Sequence, residues 1–243
     1  MSKLETRSIT DRVREILQRE IEEGRLRPGT RIIEVELARD FGISKTPLRL
    51  AIHQLKQEGL IHVEPRQGIY VKQHSLKETL ELMEIRAVLE GLAARRVAMG
   101  SDPNAVVRLR ECLTKRRSGR PASGLENYAL LDQEFHRSLV AEARSTELER
   151  SLQIVHARLM MRRLRELAIA YTGEATIHRE HMEILDAIEA GDGDRAETLA
   201  TAHVRNIPWL SILETSGLAA PGAADADTVA SPRGERRPAE TVW

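Results

Sequence analysis

The spacing of apolar residues changes character at His74, and that change divides the chain. Upstream, Ile9, Val13, Ile16, Leu17 and Ile21 step by three and four, which predicts an amphipathic helix that Gly24 and Pro28-Gly29 terminate. A second short helix is expected over residues 34–41, with Val35, Leu37, Ala38 and Phe41 on its apolar side. Gly42 then supplies a turn and Ser44 an N-cap, and Pro47 sits in a first turn where a missing N–H costs little. Leu48, Ile52 and Leu55 carry that third helix to Gly59, and residues 60–64 and 69–72 read as two strands around Pro65-Arg66-Gln67-Gly68. Three helices and a hairpin in this order predict a winged helix-turn-helix over residues 1–74.

Downstream the strand signals largely disappear. Helices are expected over residues 76–99, 104–118, 125–143, 146–171, 174–190 and 194–213, with Asp194 and Glu197 placed like a capping box on the last. Six helices over residues 75–214 predict an all-helical bundle, so the chain as a whole is mostly α. Aromatic residues make up only 3% of the sequence against 41% hydrophobic, which suits helices better than a β-sandwich. From residue 215 to 243 Ala, Gly, Pro, Asp and Arg dominate without periodicity, and a disordered tail is expected. The single cysteine, Cys112, excludes an intramolecular disulfide and any cysteine-based zinc finger. No apolar run reaches the roughly 18–20 residues of a membrane span, and the first residues lack the apolar core of a signal peptide, so a cytoplasmic location without membrane contact is expected.

The 37 basic and 37 acidic side chains balance overall, but not locally. Between residues 43 and 72, Lys45, Arg49, Lys56, Arg66 and Lys72 face only Glu58 and Glu64, and local basic density is what binds phosphate. At the start of the third helix, Ser44 and Thr46 suit phosphate contacts, and Arg49 can offer paired donors to a guanine edge. Arg66 and Gln67 sit at the hairpin tip, where Gly68 lets the backbone approach closely.

These residues carry a resemblance. Residues 9–72 resemble the winged-helix domain of the GntR family of bacterial transcription regulators through Gly29-Thr30-Arg31-Ile32, Glu36-Leu37-Ala38, the run from Phe41 to Arg49, Ala51, Leu55, Gly59-Leu60 and Arg66-Gln67-Gly68. The resemblance implies a recognition helix in the major groove, a wing near the minor groove, and a homodimer on a pseudo-palindromic operator in double-stranded DNA. On that basis Ser44, Lys45, Thr46, Arg49, Arg66, Gln67 and Gly68 are the expected DNA-binding residues. Lys45 stands where the family more usually carries Arg, and Leu50 where Glu is typical. Lysine cannot form the bidentate fork, so the departure bears on base preference at that contact.

In the second half, Asp132 and His136 are four residues apart and so share a helix face, and His181 and His203 lie on later helices. One carboxylate and three imidazoles suit Zn²⁺, Ni²⁺ or Mn²⁺, but an Asp–His neighbour pair is also an ordinary ion pair. His178, three residues before His181, competes with it; His53, His62, His74 and His156 read as surface or satisfied core residues. Residues 79–210 resemble the all-helical ligand-binding domain of the FadR subfamily, the FCD domain. The resemblance runs through residues 84–90, Asp132-x-x-Phe135-His136, Glu180-His181-x-x-Ile184-Leu185-Asp186-Ala187-Ile188, Gly191-Asp192 and residues 196–203. It implies that Asp132, His136, His181 and His203 hold a divalent metal, zinc first, with nickel or manganese as alternatives. It also implies that a small carboxylate effector sits beside the metal, contacted by Arg86. Arg86 equally suits a salt bridge between helices. The function that follows is a DNA-binding transcription regulator, expected to be a repressor and not an enzyme, whose operator affinity answers to an organic acid. The alternatives are a metalloenzyme attached to a DNA-binding module and a regulator whose effector pocket holds no metal.

Overall fold

The computed structural model describes residues 8–100, 102, 104–114, 124–159 and 161–216. Helix α1 (Ile9–Glu22) opens on Ser8, whose hydroxyl accepts from the Asp11 N–H. It buries Val13, Leu17 and Ile21. Strand β1 (Arg31–Ile32), helix α2 (Glu34–Asp40) and helix α3 (Lys45–Gln57) follow, and then strands β2 (Ile61–Glu64) and β3 (Gly68–Val71). Ser44 occupies the N-cap position of α3 in extended conformation, but its side chain makes no capping bond. The hairpin pairs Ile61 with Val71 and Glu64 with Gly68. β1 adds a third strand, pairing antiparallel with β3 in the order β1-β3-β2. Two residues are too short to show a strand pattern, and only the partner makes them one.

The winged-helix core is aliphatic. Leu17, Leu48, Ala51, Leu55, Leu60 and Val71 are all at most 1% exposed, and fully burying a leucine is worth roughly 1.5–3 kcal/mol. One wall of this core comes from the other half of the chain: Ala157, fully buried, packs into it.

The second half comprises α4 (Leu76–Ala98), α5 (Ala105–Thr114), α6 (Gly124–Glu142), α7 (Thr146–Arg158), α8 (Met161–Thr172), α9 (Glu174–Glu189), α10 (Gly193–Arg205) and α11 (Trp209–Ser216). α4 begins in a full capping box: the Ser75 hydroxyl accepts from the Glu78 N–H, and the Glu78 carboxylate accepts from the Ser75 N–H. α10 is capped by Asp192, whose carboxylate accepts from the Arg195 N–H. Asp194 and Glu197 are therefore not a capping box; both pair with Arg95 of α4 instead, at 2.7 and 2.9 Å. Two expected helices are each split. Residues 146–171 break between α7 and α8, at a point marked by neither Gly nor Pro. Residues 194–213 break at Asn206-Ile207-Pro208, where proline cannot continue the hydrogen-bond ladder. Residues 215 and 216 close α11, and the remainder of the expected tail lies outside the described residues, as do residues 115–118 of the expected second bundle helix.

α4 is the spine of the bundle. Its small residues Ala87, Gly91, Ala94 and Ala98 are buried, and α10 answers with Ala196 and Ala200. A Cβ on Gly91 would stand 2.2 Å from Thr201 Oγ1, so the helices approach as closely as glycine permits. Among the described residues no helix is long and apolar enough to cross a membrane.

Candidate metal centre and nucleic-acid interface

Helical pitch places Asp132 and His136 one turn apart on the inner face of α6. His181 comes from α9 and His203 from the last turn of α10. All four are at most 5% exposed. His181 Nε2 lies 3.2 Å from His203 Nε2 and 3.5 Å from Asp132 Oδ1, and His136 Nε2 is 3.6 Å from the same oxygen. One ligand atom from each residue falls within 4.8 Å of all the others. Metal–ligand bonds of about 2.0–2.1 Å at tetrahedral angles give donor separations of about 3.3 Å, so the three close spacings would fit a divalent ion. His178 does not belong to this group.

The surroundings fix which ring nitrogen faces inward. His203 Nδ1 donates to Glu180 Oε2 at 2.7 Å, and His136 Nδ1 lies 2.8 Å from Glu90 Oε2. A carboxylate beside each Nδ1, hydrogen-bonded at His203 and in ion-pair contact without hydrogen-bond alignment at His136, leaves each imidazole its Nε2 to face the centre, as metal-bound histidines do. Phe135 stacks on the His181 ring with centroids 4.2 Å apart. Burial, with His203 nearby, holds His181 well below the usual imidazole range; burial likewise lowers His203. For His136 burial also opposes protonation, but Glu90 and Asp132 outweigh it and the pKa is raised. Burial disfavours the Asp132 carboxylate, yet His136, His181 and Arg165 keep it ionised far into acid.

Arg86 points inward, as its position on the helix predicts. It is 2% exposed, and its Nε donates to Glu90 Oε1 at 2.8 Å and its Nη2 to Oε2 at 3.4 Å. The salt bridge is thus to its own helix, not to a neighbouring one. A cavity beside the group is lined by Arg86, Asp132, His136, Arg165 and His203, with Ile177 and Trp209 on its apolar side. Arg165 joins this group, and the sequence does not single it out. It is 3% exposed, its Nε lies 3.0 Å from Asp132 Oδ2, and its Nη1 has no hydrogen-bond partner. Its only sequence signal is a place beside Leu164, one turn before Ala168, on the apolar side of a helix rich in arginine. Glu90 and Glu180 were equally inconspicuous.

Of the expected DNA-binding residues, Ser44, Lys45, Thr46 and Arg49 are exposed at the start of α3, and Arg66 and Gln67 are exposed at the tip of the β2–β3 wing. Arg49 is held by Glu34 of α2 at 3.2 Å. Arg66 adopts φ +66°, and Gly68 adopts φ +137° with a Cβ position 3.0 Å from Arg31 Nε. The wing is braced by Tyr70, whose hydroxyl donates to the Gln67 carbonyl at 3.2 Å and whose ring stacks on His62.

Comparisons with known proteins agree with this architecture. Residues 9–71 match the bacterial regulatory proteins of the gntR family, and residues 81–206 match the FCD domain. A probable D-xylose utilization operon transcriptional repressor of Paenarthrobacter nicotinovorans is 30% identical over 197 residues, 81% of this chain and 86% of that protein. The HTH-type transcriptional repressor RspR of Escherichia coli is 27% identical over 203 residues, covering 83% of this chain and 88% of that protein. Among solved structures, E. coli McbR/YncC superposes with a TM-score of 0.66 at 22% identity, across 86% of this chain and 99% of that one. These matches are to transcription regulators and not to enzymes, and a helix-turn-helix of this kind binds DNA. With a reading head of the gntR type joined to an FCD bundle, and relatives aligned across both halves, the chain belongs to the GntR family of DNA-binding transcription regulators.

Proposed function

We propose that this regulator is a repressor whose operator affinity is set by a small carboxylate effector bound beside a divalent metal in the helical domain. The observation that carries the reading is the buried meeting of Asp132, His136, His181 and His203, with Glu90 and Glu180 turning two of the rings Nε2-inward. Zinc suits the donor set best, with nickel or manganese next. A bound ion would supply a Lewis-acidic position for a carboxylate oxygen. The chain's own residues would do the rest: Arg165 and Arg86 line the cavity as guanidinium partners for the effector's other oxygen, and Ile177 and Trp209 form its apolar side. Repression is supported by the names of the two relatives above.

The working unit in this reading is a homodimer on a pseudo-palindrome, with residues 1–74 reading DNA, residues 75–214 sensing and residues 215–243 a tail. A face of α4 supports it: Ile85, Val88 and Leu92 are 48%, 52% and 40% exposed, three large apolar side chains in one stripe facing solvent. Glu81 stands exposed at one end of this stripe and Arg96 at the other. Antiparallel contact with a second copy would therefore bring apolar residues together in the middle and opposite charges together at the ends.

Elemental mass spectrometry of protein purified without chelator or His-tag is the test, beside a His136→Ala/His181→Ala double variant. Near-stoichiometric metal in the wild type and little in the variant is the expected result; metal absent from both would remove the centre and leave the DNA reading. The metal-free alternative predicts that effector binding survives His181→Ala and His203→Ala. The enzymatic alternative predicts turnover of organic acids.

A further inference from the structure

One buried carboxylate stands between the histidine group and the DNA-binding half. Glu90 of α4 is 1% exposed and engages three side chains at once. Oε1 accepts from Arg86 Nε at 2.8 Å and faces His156 Nε2 at 3.1 Å; Oε2 lies 2.8 Å from His136 Nδ1 and 3.4 Å from Arg86 Nη2. Four nitrogens thus crowd its two oxygens, three as hydrogen-bond partners and His136 Nδ1 as an ion-pair contact without hydrogen-bond alignment. A tighter bond to one partner must come at the expense of another.

His156 lies on α7, and its neighbours in the chain leave the bundle. Ala157 is fully buried in the winged-helix core. The carbonyl of Gln153 accepts from Gln18 Nε2 of α1 at 3.2 Å. Arg158 Nε lies 3.5 Å from where a Cβ would stand on Gly59, just past the end of α3. Residues 153–158 thus touch α1 and lie against the turn that follows α3, while His156 reaches the carboxylate behind His136.

We propose that His156 is the positioning residue that transmits occupancy of the metal centre to the winged-helix domain, acting through Glu90. The proposal rests on the metal reading above. When the His136 Nε2 lone pair is given to a cation, its Nδ1–H becomes a stronger donor and draws Glu90 toward it. The opposite oxygen then holds His156 less firmly. α7 resets against α1 and the end of α3, the two elements on which the angle of the recognition helix depends.

Hydrogen–deuterium exchange on the full chain, with and without Zn²⁺, tests this alongside Zn²⁺ affinity measured by chelator competition. In the wild type, Zn²⁺ should change exchange several-fold in α6, α9 and α10 and also in α1 and α3. In His156→Phe the first set should persist, with Zn²⁺ affinity within about threefold, and the α1 and α3 response should vanish. His156→Gln, which keeps a donor, should restore part of it. An unchanged α1 and α3 response in His156→Phe overturns the proposal, as does a wild type that binds Zn²⁺ with no response there. A wild type that binds no Zn²⁺ overturns the metal reading and the coupling with it. If His156→Phe does not fold, ring ¹⁵N spectra of the wild type decide: Zn²⁺ should shift His156 Nε2 although it is no ligand, and an unmoved signal refutes the coupling.

Discussion

His74 lies where β3 runs into α4, is 8% exposed, and its Nδ1 has no hydrogen-bond partner. Burial, and after it Lys72 and Arg158, push its pKa down to about 4 against a smaller opposing pull from Glu78. In the folded protein it is therefore neutral, while the unfolded chain takes up the proton near pH 6.5. The unfolded state binds more protons between those values, so stability is complete above pH 6.5 and is lost as pH falls toward 4. The loss is about 3 kcal/mol across that window. Urea unfolding at pH 7.5 and 5 should show about 2 kcal/mol of it, and His74→Leu should flatten the difference. On the face expected to meet DNA, Arg49 is 64% exposed and its pairing with Glu34 is a surface ion pair worth little. It is free to turn to a base edge. Arg49→Ala should weaken specific operator binding by about 1–3 kcal/mol, about 5- to 150-fold, in a mobility-shift titration. Such residues were legible because a helix start, a turn and a wing tip are marked in the sequence by Gly, Ser and Pro. His74 was not, since its burial and the nearby Arg158 charge exist only once the chain has folded.

The elements were legible wherever punctuation coincides with a break in periodicity. α1, α3, α4, α6 and α9 begin and end within a residue or two of expectation. The junction between α7 and α8 escaped because no Gly or Pro marks it. β1 escaped because two residues carry no pattern of their own, and Asp192 escaped as a cap because Asp194 and Glu197 imitate one while serving Arg95. The close crossing of α4 and α10 gives a sharp prediction at this scale. Gly91→Ala places a methyl group where Thr201 Oγ1 and the Glu197 carbonyl already stand, at 2.2 and 3.1 Å. Thr201 can rotate away but the Glu197 backbone cannot, so a cost of about 1–3 kcal/mol in denaturant midpoint is expected. On the exposed face of α4, Val88→Glu should convert the proposed dimer to monomer in sedimentation velocity and weaken operator binding in parallel. A dimer that survives Val88→Glu would place the interface elsewhere.

For the whole molecule, regulation means a coupling between the sensing bundle and the reading head. Couplings of this kind are typically 1–3 kcal/mol, which changes affinity about 5- to 150-fold. A carboxylate effector that binds tightly and leaves operator affinity unchanged in fluorescence anisotropy would end the switch idea. Half of the candidate metal group was legible from spacing, because Asp132 and His136 share one helix. His181 and His203 needed the likeness to FCD domains, and Glu90, Glu180 and Arg165 needed the fold, since their contacts cross between helices. The placement of Ala157 has a practical consequence. It is a bundle residue that serves as a wall of the winged-helix core. The reading head, cut from the chain near residue 74, would expose an apolar notch lined by its own leucines. Anyone grafting this head onto a foreign sensor to make a biosensor should expect chimeras to aggregate unless the patch of α7 from Gln153 to Arg158 is carried across with it.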